Sequence, residues 1–165
     1  MPVVRVRVLR WRAPGYPELM LIYLDICSIQ RPLDDLSRMR VRLEAEAVDG
    51  IIGFCKARFA TLVSSDALEF EDGGNTDPVR KEHAVDVLNK AGRFVPFTAE
   101  VRQRALVMEG AGLKSLDALH LSSAVEAGAD YFCRCDDRLL RRARAAHPGP
   151  PKVVSPLELI GELNL

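Results

Sequence analysis

Residues 21–29 read Leu-Ile-Tyr-Leu-Asp-Ile-Cys-Ser-Ile, an apolar run that contains one carboxylate, Asp25. An unbroken apolar run of this kind is typical of a strand that is buried on both faces of a parallel sheet. Ligands of open α/β sheets gather outside the carboxyl ends of the strands, so Asp25 lies where a site would form. The alternative is that Asp25 caps the turn or helix that follows, and this stretch alone favours neither interpretation.

The composition favours one cytoplasmic domain. A chain of 165 residues is long enough to bury a core, and its 23 basic and 23 acidic residues cancel. No overall field therefore directs the protein towards nucleic acid, and any such partner must be bound locally. Four cysteines are too few for a secreted disulfide scaffold and favour reduced thiols. No apolar run reaches the roughly 20 residues that span a bilayer, so we expect a cytoplasmic protein without membrane contact.

The N-terminal segment differs from the rest of the chain. Residues 3–9 alternate apolar residues with arginine, as a short edge strand does, and residues 12–17 then break the pattern with two prolines and a glycine. We predict that residues 1–19 are an appendage, either an edge strand or disordered, and that the domain occupies residues 20–165.

Strand-like and helix-like segments alternate after the first strand. Four-residue apolar spacing over residues 36–59 predicts a long amphipathic helix. Further strands are predicted at residues 61–64, 94–97, 131–135 and 152–154. Further helices are predicted at residues 66–71, 79–91, 98–109, 115–128, 138–146 and 157–163. Because strands and helices alternate, the sequence predicts a three-layer α/β/α sandwich with a central, mainly parallel sheet.

Four carboxylates are expected at one edge of this sheet. Asp25 and Asp136 each follow a strand, and Asp117 lies among apolar residues near the start of a helix. Glu71 projects over the apolar face of its helix, since Ala67 lies four residues before it. Such a cluster needs cations to offset its repulsion, and hard oxygen ligands select Mg²⁺ or Mn²⁺. The chemistry that suits this arrangement is metal-assisted cleavage of phosphodiesters.

These motifs resemble the PIN domain family over about residues 20–163. The resemblance is carried by Tyr-Leu-Asp-Ile-Cys-Ser-Ile around Asp25, by Glu71, by Leu-Asp-Ala-Leu-His-Leu around Asp117, and by Cys-Asp-Asp-Arg-Leu-Leu around Asp136. It implies a PIN-like fold and a Mg²⁺- or Mn²⁺-dependent single-strand ribonuclease, with these four acids as catalytic and metal-binding residues. It also implies a VapC-like toxin of a toxin–antitoxin pair that is dimeric and inhibited by an antitoxin protein.

Arg134 departs from the family pattern, because many relatives have Thr or Ser two residues before the last aspartate. Its guanidinium either binds a substrate phosphate or pairs with the carboxylates and weakens metal binding. Ser28, Arg134 and Arg138 are our candidate substrate contacts. His120 fits a satisfied buried histidine better than a general base, and Asp137 fits a helix cap or a secondary ligand.

Two other functions stay open at this point. A PIN-like module that binds RNA or protein and has lost catalysis is consistent with Arg134. A phosphotransfer enzyme with Asp25 as nucleophile is less consistent, because the haloacid dehalogenase pattern has a second Asp two residues later, where this chain has Cys27.

Overall fold

The computed structural model describes residues 19–165. Its strands are β1 Met20–Leu24, β2 Ala60–Ser65, β3 Arg93–Val95, β4 Tyr131–Cys133 and β5 Lys152–Val154. They form one parallel sheet in the order β3-β2-β1-β4-β5, with Ile22 paired to Leu62 of β2 and to Tyr131 of β4. The prediction that residues 1–19 form an appendage lies, apart from Leu19, outside the described residues.

Eight α-helices lie within residues 19–165, and all but the last connect these strands. They are α1 Ile26–Ile29, α2 Met39–Lys56, α3 Asp66–Gly73, α4 Pro78–Leu88, α5 Ala99–Gly110, α6 Ser115–Ala127, α7 Asp137–Ala146 and α8 Pro156–Leu163. A short 3₁₀ turn covers Arg31–Leu33. None of these helices is long and apolar enough to cross a membrane.

The strand order places helices on both faces of the sheet. The connections from β1 to β2 and from β2 to β3 run in one direction, whereas those from β3 to β4 and from β4 to β5 run in the other. Because such crossovers are right-handed, the two groups of helices lie on opposite faces. Helix α2 accordingly packs on β2 and α8, and α6 packs on α5 and β4. The predicted three-layer α/β/α sandwich is confirmed.

The central strand β1 is shorter than the apolar run that predicted it. Ile22, Tyr23 and Leu24 are fully buried, as expected for a strand covered on both faces. The strand ends at Leu24, however, because the Asp25 side chain accepts a hydrogen bond from the Ser28 amide and starts α1. The run 21–29 is therefore a strand followed by a helical turn.

Capping residues mark several helix termini. Ser65 caps α3, Thr98 caps α5, and Gly128 ends α6 in the left-handed conformation that favours glycine. Helix α2 is shorter than the predicted 36–59, because residues 36–38 and 57–58 lie in turns, so that the helix begins at Met39 and ends at Lys56. Strand β4 ends at Cys133, so Arg134 and Cys135 belong to the loop before α7.

Candidate functional site

The site lies where the strand order reverses. Strand β1 lies between β2 and β4, and the connections before β3 run across the sheet in the direction opposite to those after it. In sheets of this kind the ligand-binding crevice lies at the carboxyl ends of the two strands at the reversal, here β1 and β4. Asp25 lies directly after β1 and is 1% exposed, and its amide donates to the Cys133 carbonyl. Asp25 therefore caps α1 and also lies at the carboxyl edge of the sheet, and its role in a site stays a prediction.

Arg134 bridges two of the predicted carboxylates. Its Nε lies 2.9 Å from Oδ2 of Asp25, and its Nη1 lies 2.7 Å from Oδ1 of Asp117. Burial favours loss of its proton, but the surrounding negative charges, led by Asp25 and including Asp117 and Glu71, outweigh this effect and raise the pKa of Arg134. Of the two roles open to Arg134, the structure shows the pairing with carboxylates.

Glu71 joins the same cluster from α3. Its Oε2 lies 2.6 Å from Nε2 of His120, which is fully buried. Burial opposes ionisation of Glu71, but the hydrogen bond from His120, together with the charge of Arg134, outweighs it and lowers the pKa of Glu71. His120 also contacts the Tyr23 hydroxyl through Nδ1, so both ring nitrogens have partners, as expected of a satisfied buried histidine.

Asp136 is placed differently from the other three acids. Its side chain is exposed and caps α7, with Oδ1 accepting hydrogen bonds from the amides of Arg138 and Leu139. Asp137 is not the cap, as one interpretation had it, but forms a two-bond ion pair with Arg40 of α2. The structure thus pairs Asp25 and Asp117 with Arg134, places Glu71 near enough for its charge to act on Arg134, and engages Asp136 in the cap of α7.

The two remaining substrate candidates also differ from each other. Ser28 is fully buried, and its hydroxyl donates to the Cys133 carbonyl at 3.1 Å, which fixes α1 against β4. Arg138 is exposed on the first turn of α7. Arg138 is therefore open to a ligand, whereas the Ser28 hydroxyl is occupied within the fold. A substrate contact by either residue stays a prediction.

The carboxylates of Asp25 and Asp117 are chemically suited to a hard divalent cation, but in this structure they pair with the guanidinium of Arg134. Asp25 and Asp117 offer carboxylate oxygens of the kind that Mg²⁺ and Mn²⁺ prefer. Across residues 19–165, no three His, Cys, Asp or Glu side chains are grouped closely enough to hold a metal ion. The Arg134 guanidinium stands in for the cation between the two aspartates. Arg134 would have to leave these oxygens before a metal could bind to both.

A comparison with models of protein families places this sequence in a known family. The PIN domain model matches residues 42–145. The chain belongs to the PIN domain family. PIN domains are generally nucleases, which are hydrolases, so the crevice at β1 and β4 lies in a nuclease-type fold.

Comparison with solved structures agrees on the fold. The crystal structure of PAE2754 from Pyrobaculum aerophilum superposes with a TM-score of 0.56 and 16% sequence identity, covering 88% of this chain and 90% of that one. At this identity the similarity concerns the fold alone. A search of curated proteins finds no match.

A chain of ion pairs beside the site was not predicted. It alternates in charge and joins α4, the 3₁₀ turn, α2 and α7 in the order Arg80, Asp34, Arg31, Glu44, Arg40 and Asp137. Glu44 is 1% exposed and lies 2.8 Å from Arg31 Nε and 2.9 Å from Arg40 Nε. Helical spacing contained the signal, because Glu44 lies three residues after Val41 and four before Val48, both of which are buried.

Proposed function

We propose that this PIN domain is a metal-dependent single-strand endoribonuclease that hydrolyses RNA phosphodiester bonds. The observation that carries the proposal is the convergence of Asp25 and Asp117 on one cation at the crevice. Two carboxylates that are 1% and 15% exposed repel each other unless a positive charge lies between them. A pair held in this way is suited to a divalent ion at a phosphodiester.

We assign the metal to the four predicted acids. Asp25, Glu71, Asp117 and Asp136 would hold Mg²⁺ or Mn²⁺, which when bound supplies activation of water and stabilisation of the leaving oxygen. Glu71 is held ionised by His120 and Arg134, so it is ready to act as a ligand. Asp136 lies at the start of α7, whose exposed arginines include Arg138.

The arginine-rich face of α7 supports RNA as the substrate. Arg138, Arg141 and Arg142 are exposed on this helix, directly after Asp136. Positive side chains beside the carboxylates offset their repulsion of a polyanion and bind its phosphates without reading its sequence. The positive charge that the chain lacks overall, with its net charge of zero, is therefore present locally on this face.

We also propose protein partners and a cytoplasmic location. An apolar groove of about 320 Å³ is lined by Phe70, Phe97, Leu106 and Leu119, and Phe70 is 75% exposed. Exposed apolar surface of this kind supports a protein contact. It agrees with a homodimer and with an antitoxin, as for toxins of toxin–antitoxin pairs. The four free thiols agree with a reducing cytoplasm.

The pairing of Arg134 favours a second candidate, a module that binds RNA or protein without catalysis. In this candidate the guanidinium permanently replaces the metal. Such a module retains the α7 face for RNA and the apolar groove for a protein partner, and it has no hydrolytic activity.

Calorimetric titration with Mn²⁺ and a cleavage assay on labelled single-stranded RNA separate the two candidates. The ribonuclease proposal expects Mn²⁺ binding and cleavage by the wild type, with both lost in Asp25→Asn and Asp117→Asn. The matched control is Asp49→Asn, since Asp49 is exposed on α2. RNA binding with neither metal binding nor cleavage would establish the binding module instead.

A further inference from the structure

We propose that Tyr23 and His120 are positioning residues for Glu71, which they hold at the edge of the carboxylate cluster through a buried chain of hydrogen bonds. The inference rests on the proposed function, in which Glu71 is a metal-binding carboxylate. It assigns a role to two buried polar side chains that neither the metal nor the RNA touches.

The chain of hydrogen bonds begins in the sheet and ends at Glu71 in the proposed site. The hydroxyls of Ser65 in β2 and Tyr23 in β1 lie 2.8 Å apart, and the Tyr23 hydroxyl lies 2.8 Å from Nδ1 of His120 in α6. Nε2 of His120 then lies 2.6 Å from Oε2 of Glu71 in α3. Ser65, Tyr23 and His120 are fully buried, whereas the Glu71 side chain is 30% exposed.

The last bond of the chain has a fixed direction. The Tyr23 hydroxyl lies 2.8 Å from the Ser65 hydroxyl and 2.8 Å from Nδ1 of His120, so either neighbour can accept its hydrogen bond. A bare Nε2 lone pair facing a carboxylate oxygen would be repelled by it. Nε2 of His120 therefore carries a hydrogen and donates a hydrogen bond to Glu71, whichever neighbour accepts the hydrogen bond from Tyr23.

The imidazole ring is also held by aromatic packing. Tyr23 packs edge-on against the ring with centroids 6.0 Å apart, and Tyr23 itself packs on Phe132 at 5.5 Å. A ring fixed in this way restricts the Glu71 side chain, which has three rotatable bonds. It anchors Oε2, while Oε1 forms no hydrogen bond with the described residues and stays available to a ligand. Partners that orient metal ligands in this manner typically change metal affinity by roughly ten- to a hundredfold.

The test compares Mn²⁺ dissociation constants, measured by calorimetry, of the wild type and three variants. Tyr23→Phe removes only the hydroxyl and should weaken binding roughly tenfold. His120→Leu should weaken binding at least as much, whereas His120→Gln, whose amide can donate to Glu71, should restore most of the affinity. Tyr131→Phe is the matched control, because the Tyr131 hydroxyl contacts Glu162, outside the site. Ser65 is unsuitable because it also caps α3.

Thermal melts distinguish positioning from general stability. A merely structural role would lower the melting temperature of the His120 variants without separating Gln from Leu in Mn²⁺ affinity. Tyr23→Phe and His120→Leu proteins that bind Mn²⁺ as tightly as the wild type would overturn the inference.

A second measurement does not depend on the proposed function. Nuclear magnetic resonance of the metal-free protein should show a solvent-protected Nε2 proton on His120 whose signal shifts in both Tyr23→Phe and Glu71→Gln. If the wild type binds no Mn²⁺, the proposed function fails, and this signal still decides the inference. A protected signal that shifts in both variants supports the hydrogen-bond chain, and its absence or an unchanged position overturns it.

Discussion

Replacing Arg134 with threonine removes the charge between Asp25 and Asp117. Breaking a buried ion pair on one side costs about 3–5 kcal/mol, because the remaining charge keeps no partner. Asp25 is 1% exposed but retains the hydrogen bond from the Ser28 amide, and Asp117 is 15% exposed and can hydrate. We therefore expect a loss near the lower end, about 3 kcal/mol without metal. For a domain of this size the melting temperature should fall by roughly 6–12 °C.

Mn²⁺ should restore stability to the Arg134→Thr variant. Without the guanidinium, a dication at the two aspartates meets no neighbouring positive charge, so Arg134→Thr should bind Mn²⁺ more tightly than the wild type. A ligand that binds only the folded state raises stability with its concentration relative to its dissociation constant. The same Mn²⁺ concentration should therefore raise the melting temperature of the variant more than that of the wild type.

The assay combines thermal melts, with and without Mn²⁺, and calorimetric dissociation constants at one ionic strength. Arg93→Thr is the matched control, because Arg93 is exposed on the edge strand β3 and should affect stability and Mn²⁺ binding little. An Arg134→Thr protein that melts like the wild type without metal would refute the buried pairing. Unchanged or weaker Mn²⁺ binding would refute competition between the guanidinium and the metal.

Three further predictions concern the acids. Asp25→Asn and Asp117→Asn should each abolish metal-dependent cleavage of labelled single-stranded RNA while circular dichroism still reports a folded protein; residual cleavage near the wild-type rate would contradict their assignment. Glu44→Gln should lower the free energy of unfolding in urea by about 3 kcal/mol, because two arginines lose a buried partner, and an unchanged midpoint would show that these ion pairs contribute no net stability. The pKa of Glu71 lies below its ordinary 4.5, so its ionisation stabilises the fold above that pH and this contribution is lost as the pH falls through the lowered pKa. The stability difference between the wild type and Glu71→Gln should therefore shrink as the pH falls below 4.5, and a difference independent of pH would contradict the shift.

The fold was largely readable from the sequence because each of its signals is local. Hydrophobic periodicity gave the alternation of strands and helices, and capping residues such as Ser65 and Thr98 marked helix starts. The boundaries were less accurate where a side chain competed with the strand. Asp25 ended β1 by capping α1, although the apolar run continues to residue 29.

The arrangement of the site was only partly readable. Strand ends predicted that Asp25 and Asp136 lie at the same edge, but alternation along a strand could not place Arg134, because β4 ends one residue before it. Its pairing with Asp25 and Asp117 depends on three segments that are distant in sequence. Glu44 lay on the apolar face of α2, but its partner Arg31 lies in a 3₁₀ turn that periodicity did not reveal.

The strand order also has a consequence for protein synthesis. Asp25 follows β1, whereas Asp117 and Arg134 lie before and after β4. Strand β4 can pair with β1 only after most of the chain has been synthesised. The ribosome can therefore release β1, β2 and β3, with their helices, before Asp117 and Arg134 take their places beside Asp25. An incomplete translation product that stops before β4 lacks the pairing of Asp25, Asp117 and Arg134, so by this topology only a nearly full-length chain brings these side chains together.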